Sequence, residues 1–129
     1  MEKFKDPKDL SPLTLAFLGD AVITYMVRSH FVKRTITKVS DLHRATSNII
    51  NAGNQAKTFD TIKEVLTEDE SDLANRAHNA KVNTGAKNFS QGDYRKATAL
   101  EALVGYWHLK EETLKIKVAV LELLQGGKK

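Results

Sequence analysis

Apolar residues recur along the chain at spacings of three and four, the repeat of a helix with one buried face. Short alternating stretches bounded by hairpin turns are not found, and only 7 Gly and 2 Pro interrupt the pattern. The chain is therefore predicted to be all-α. Ser11 before Pro12 has the chemistry of an N-cap and a first helical position, opening a helix that runs to Phe31 or Lys33. A second start is placed at Ser40, with Leu42, Ala45, Ile49, Ala52 and Ala56 at helical spacing and a bend or restart near Gly53. Thr67 and Glu70 have the spacing of a capping box, which makes Glu68-Asp69-Glu70 a solvated helix N-terminus favoured by the helix dipole. From Asn79 to Asp93 the periodicity lapses into a polar, basic loop, the longest irregular stretch and for that reason a candidate contact surface. Helices over Tyr94 to Leu109 and Glu112 to Gln125 follow, with Gly126 as the stop.

Length and composition narrow this picture. A chain of 129 residues buries one core and not two, so residues 1–129 are expected to be a single domain. The absence of cysteine excludes disulfides, thiolate metal sites and a cysteine nucleophile, and favours the cytoplasm. The N-terminus alternates charges, unlike an export signal. The most apolar stretch, Leu13 to Val27, is shorter than the ~20 residues that cross a bilayer and carries Asp20, so no membrane association is expected. Lys and Arg number 20 against 16 Asp and Glu, a net charge of +4 with a pI near 9.3, which makes nucleic acid a candidate partner. Lys33, Arg34, Lys38, Arg44, Arg76, Lys81, Lys87, Arg95 and Lys96 would neutralise phosphates if the fold gathers them on one side. Scattered, they are ordinary solvated charge.

Two carboxylates stand where the pattern calls for apolar side chains. Asp20 interrupts Leu15-Ala16-Phe17-Leu18-Gly19-Asp20-Ala21-Val22-Ile23, and Glu101 is the only acid in Ala97-Thr98-Ala99-Leu100-Glu101-Ala102-Leu103-Val104-Gly105-Tyr106. Burying an unpaired carboxylate costs several kcal/mol, so each must be protonated, paired with a base such as Arg28 or Arg95, or bound to a metal. Crossing helices that bring both acids together would make a hard oxygen site for magnesium or manganese; separate ion pairs are the alternative. His30, His43, His78 and His108 show no zinc-type pairing, and no phosphate loop, Rossmann glycine pattern or nucleophile elbow is present.

The run Phe17-Leu18-Gly19-Asp20-Ala21-Val22 resembles the signature segment of the ribonuclease III family, and Leu100-Glu101-Ala102-Leu103-Val104-Gly105-Tyr106 resembles that family's second acidic segment. Both occur in the family's order, and with the chain's length they resemble most the Mini-ribonuclease III branch, which lacks the double-stranded RNA-binding domain. The resemblance implies the helical, homodimeric endonuclease-domain fold and places Asp20 and Glu101 on the family's catalytic, metal-binding acids. Larger members carry further acids where this chain has Leu13, Ala16 and Thr98. Positions 16 and 20, and 98 and 101, share helix faces, so these replacements thin the metal site. Arg76, Asn79, Lys81, Lys87, Tyr94 and Arg95 lie in segments similar to that branch, an Asn-Ala-Lys stretch and a Tyr-Arg pair, and are carried over as RNA contacts.

The resemblance thus implies a magnesium-dependent endoribonuclease, with manganese as a substitute, that cuts double-stranded RNA and matures precursor large-subunit ribosomal RNA. Because the chain ends directly after its last predicted helix, the catalytic domain is expected to bind RNA unaided, mainly through duplex shape. The thinned acid set leaves open a second expectation, a structured-RNA-binding module of the same fold that does not cut.

Overall fold

Helix starts in this chain are set by local capping chemistry. The computed structural model describes residues 5–34, 38–80 and 90–127. Ser11 Oγ accepts from the Thr14 N–H at 3.1 Å, and Pro12 sets the first turn of α1 (Pro12–Val32). Helix α2 (Val39–Ile49) begins one residue before Ser40, with Lys38 at its N-cap and no side-chain capping bond. The restart near Gly53 is made by Asn51, whose Oδ1 accepts from the Asn54 N–H at 2.9 Å and opens α3 (Ala52–Ile62). The reciprocal Thr67–Glu70 box opens α4 (Glu68–His78). Helix α5 (Gln91–Leu109) starts ahead of the expected Tyr94, because Ser90 Oγ accepts from the Asp93 N–H at 3.0 Å and the polar first turn carries no apolar signal. A tight turn in which Glu111 takes φ 58° leads into α6 (Thr113–Gly126). Among the described residues there is no strand, and no helix is long and apolar enough to cross a membrane.

Helix α5 is the centre of the structure. Ala97 to Leu100 and Ala102 to Trp107 are all buried, as a helix apolar on every side must be. Helices α1, α3 and α4 pack around it, with α6 across one end. The core joins Leu15, Ile23 and Val27 of α1 to Leu73 of α4, Leu100, Leu103 and Val104 of α5 and Leu123 of α6. Each such side chain contributes about 1.5–3 kcal/mol by leaving water.

The α1–α5 crossing is closer than side chains permit. A methyl group on Gly19 would collide with the carbonyl oxygen of Glu101 and lie 2.9 Å from the Gly105 nitrogen; one on Gly105 would strike the carbonyl oxygen of Leu15 and lie 3.2 Å from the Gly19 nitrogen. The two backbones touch, and only glycine on each side allows it.

Two local expectations are corrected by packing. Glu68 and Asp69 are exposed, but Glu70 is 3% exposed: its Oε2 accepts from Trp107 Nε1 at 2.8 Å and from Lys115 Nζ at 2.6 Å, joining α4 to α5 and α6. Burial alone would raise this carboxyl, but the hydrogen bonds from Lys115, the Thr67 backbone and Trp107 outweigh it and hold the group below its ordinary range. Gly126 is the last residue of α6 and Gly127 its cap, one position beyond the expected stop. The missing side chain of Gly126 makes room for the Asn54 amide, whose Nδ2 donates to the carbonyls of Ile49 and Leu123, both at 2.8 Å.

Candidate active site

The glycine crossing decides where the two anomalous carboxylates go. Asp20 follows Gly19, and Glu101 lies about one helical turn before Gly105 on α5. The carboxyl groups meet: Asp20 is exposed on α1, while Glu101 is half-buried between α1 and α3. Burial pushes the Glu101 carboxyl up, and the neighbouring Asp20 charge pushes it further, to about 7. Gln55 of α3, whose amide lies beside Glu101, opposes the rise.

Neither acid forms a salt bridge among the described residues. Arg28 lies along the same open cleft of about 610 Å³ as Asp20, with Ala21, Thr24, Tyr25, Ser29 and Val32, without pairing to it. Among the described residues the ion-pair alternative therefore finds no partner, and the two mutually repelling carboxylates have no counter-charge there. Gln55 is 5% exposed, and its Nε2 meets no acceptor at hydrogen-bond geometry. Repelling carboxylates beside a buried, unused amide donor are a fit for a divalent cation, which removes the repulsion and gives the carboxylates a fixed geometry.

Among the described residues, none around the pair supplies a further acid. Ala16 is buried, and the Thr98 Oγ1 donates within its own helix to the Tyr94 carbonyl at 3.0 Å. Among the described residues no group of three or more His, Asp and Glu side chains is arranged to hold a metal. Two carboxylates suit a cation that keeps most of its waters, as magnesium does.

Of the residues carried over as RNA contacts, Tyr94 stands nearest to this pair in the helix register. Tyr94, Thr98 and Glu101 follow an i, i+4, i+7 line on α5, which puts Tyr94 roughly 10 Å along the axis from Glu101. Arg95 is exposed next to it. Arg76 and Asn79 are exposed at the C-terminal end of α4, where Asn79 is the cap. Lys81 and Lys87 lie outside the described residues. Arg44 is paired with Asp41 at 3.2 Å and Lys96 with Asp60 at 2.9 Å, so these two cations are partly spoken for. Periodicity does not single out Gln55, whose place beside Glu101 depends on how α3 packs on α5.

Comparison with known proteins identifies the family. A family model for the ribonuclease III domain matches residues 13–112. A Mini-ribonuclease 3 of Brevibacillus brevis is 42% identical over 115 residues, covering 88% of this chain and 86% of that protein. Another, from Staphylococcus aureus, is 34% identical over 119 residues, covering 91% of this chain and 89% of that protein. The crystal structure of a Fusobacterium nucleatum protein superposes with a TM-score of 0.84 at 29% identity, covering 95% of this chain and 98% of that one. The chain belongs to the ribonuclease III family, on its Mini-ribonuclease branch, and is an endoribonuclease.

Proposed function

We propose that Asp20 and Glu101 form a divalent-metal site at which this endoribonuclease hydrolyses phosphodiesters of double-stranded RNA. The observation that carries this is the meeting of two carboxylates, unpaired with any described base, at a crossing that glycines force to be close. Held by Asp20 and Glu101, magnesium would supply positive charge against the reacting phosphate and make the attacking water more acidic. Exposed Asp20 faces the phosphodiester from the open cleft, and half-buried Glu101 fixes the direction of the site from below. Water oxygen bonds to phosphorus and gives up a proton as the bond to the 3′ oxygen breaks and that oxygen takes one up, leaving 5′-phosphate and 3′-hydroxyl ends. Tyr94 and Arg95, with Arg76 and Asn79, contact the backbone of the duplex, together with Lys81 and Lys87 of the basic stretch between them in sequence.

The working form is a cytoplasmic homodimer of one catalytic domain. Along α1, Leu13, Phe17, Ala21, Tyr25 and Val32 leave an apolar stripe open on the helix that carries Asp20, with Phe17 83% and Tyr25 72% exposed. A second copy placed across it by a two-fold axis covers the stripe and sets two sites on one duplex, one for each strand. Likeness to Mini-ribonuclease proteins supports precursor large-subunit ribosomal RNA as the substrate.

The test is incubation of the purified protein with a long perfect RNA duplex in magnesium and in EDTA, with Asp20→Asn and Glu101→Gln in parallel. Magnesium-dependent cutting that both substitutions abolish, while the variants remain folded and bind RNA, is the expected result. Tight binding without cutting by the intact protein, in magnesium or manganese and on structured ribosomal precursors, would instead establish the non-cutting RNA-binding module, for which Leu13, Ala16 and Thr98 in place of acids speak.

A further inference from the structure

Gln55 is an expensive residue for its position. A buried amide N–H without an acceptor costs roughly 1–3 kcal/mol relative to an apolar group of the same shape, and a leucine would fill this space without that penalty. Its neighbours on α3 have structural explanations: Asn54 ties α3 to α2 and α6 through two carbonyls, and Ala56 and Phe59 are core. Gln55 Nε2 has no such bond, yet the amide lies directly beside the Glu101 carboxyl.

We propose that Gln55 is a positioning residue for the metal site, its Nε2 donating to one oxygen of Glu101 so that the other oxygen is turned toward the cation beside Asp20. This rests on the reading that Asp20 and Glu101 hold a divalent cation. In a site with only two carboxylates each ligand's orientation matters more, because no third acid fixes the cation. A carboxylate in place of this amide would add repulsion in the metal-free protein, and a lysine would displace the metal. A neutral donor restrains Glu101 without doing either, and hydrogen bonds of this kind to metal-binding side chains are commonly worth about 10–100-fold in metal affinity.

The test measures Mn²⁺ binding to the RNA-free protein from the electron paramagnetic resonance signal of free Mn²⁺. The wild type, Asp20→Asn, Gln55→Leu and Gln55→Glu are compared, with Tm recorded in EDTA and in Mn²⁺. Gln55→Leu should weaken Mn²⁺ binding by about 10–100-fold while its Tm in EDTA stays level or rises, since an orphan donor has been removed. Its cutting rate should fall at low magnesium and recover as magnesium is raised. Gln55→Glu should lower the metal-free Tm through repulsion and show a larger Mn²⁺-induced rise than wild type. Wild-type Mn²⁺ affinity in Gln55→Leu overturns the inference and leaves the metal site standing. Should Gln55→Leu fail to fold, an unchanged Mn²⁺ response in Gln55→Glu overturns it equally. Absence of any Mn²⁺ binding that Asp20→Asn removes overturns the metal site and this inference together.

Discussion

The α-carbon of Gly19 packs on the main-chain carbonyl of Glu101, and that contact brings Asp20, the next residue of α1, to the Glu101 side chain. Site assembly and helix packing are one event in this chain. The same closeness that buries Leu15 and Val104 in the core presses two acids together that would each be better solvated alone.

Gly19→Ala and Gly105→Ala should therefore damage fold and site at once. Each added methyl meets backbone of the opposing helix, which cannot swing aside as a side chain can, so the helices must separate. A loss of about 3 kcal/mol or more in chemical denaturation is expected, at the upper end of overpacking costs. A wild-type denaturation midpoint in either variant would show that the helices do not touch here.

Stability of the metal-free protein should depend on pH through Glu101. Its carboxyl is pushed up to about 7, so the folded chain holds this proton more tightly than the unfolded chain does. The resulting stabilisation is complete below the ordinary carboxylate range and is lost as pH rises through about 7. It amounts to on the order of 1–3 kcal/mol. Thermal melts in EDTA from pH 5.5 to 8.5 should show wild-type Tm falling as pH rises more steeply than in Glu101→Gln, with the variant the more stable at pH 8.5. Equal slopes would mean that neither burial nor Asp20 raises the Glu101 carboxyl. In cutting assays at limiting magnesium, rates should climb over the same interval, because the proton and the cation compete for this carboxylate.

Glu70 should behave oppositely. Held below its ordinary range, it stabilises the fold above that range and loses this as pH falls through its folded value. Glu70→Gln keeps the shape but removes the charge that Lys115 and Trp107 bond to, at a cost of about 1–3 kcal/mol at pH 7. Urea denaturation followed by the fluorescence of Trp107, the only tryptophan, reads the loss directly. An unchanged midpoint would show that the network adds nothing.

Phe17→Lys should separate the proposed dimer without unfolding the subunit. The ring is 83% exposed, so its loss costs the isolated subunit little, whereas a charge in the middle of a covered apolar stripe disfavours association strongly. Light scattering after gel filtration should give the mass of two chains for wild type and of one for the variant. A dimer that survives the substitution would place the interface elsewhere.

Capping chemistry acts within one helical turn, so Ser11 with Pro12 and Thr67 with Glu70 could be read directly as helix starts. The start of α5 was less legible, because Ser90 precedes a polar first turn and the apolar repeat begins only afterwards. Asp20 and Glu101 were visible as chemical anomalies, since a carboxylate amid apolar residues has few ways to be stable wherever the helix lies.

What no local pattern contained is which distant residues meet. Gly19 and Gly105 are 86 positions apart and look like ordinary small residues until two backbones close on each other. Glu70 has the sequence of an exposed cap and becomes a buried acceptor only because Trp107 and Lys115 arrive from α5 and α6. Gln55 is one more polar residue in α3 until packing on α5 sets its amide beside Glu101. Sequence alone determined the helices and the kind of chemistry they carry, because hydrogen bonding and periodicity are short-range. The tertiary structure decided that the two acids meet, because a crossing is set by shape between faces that the chain does not place side by side.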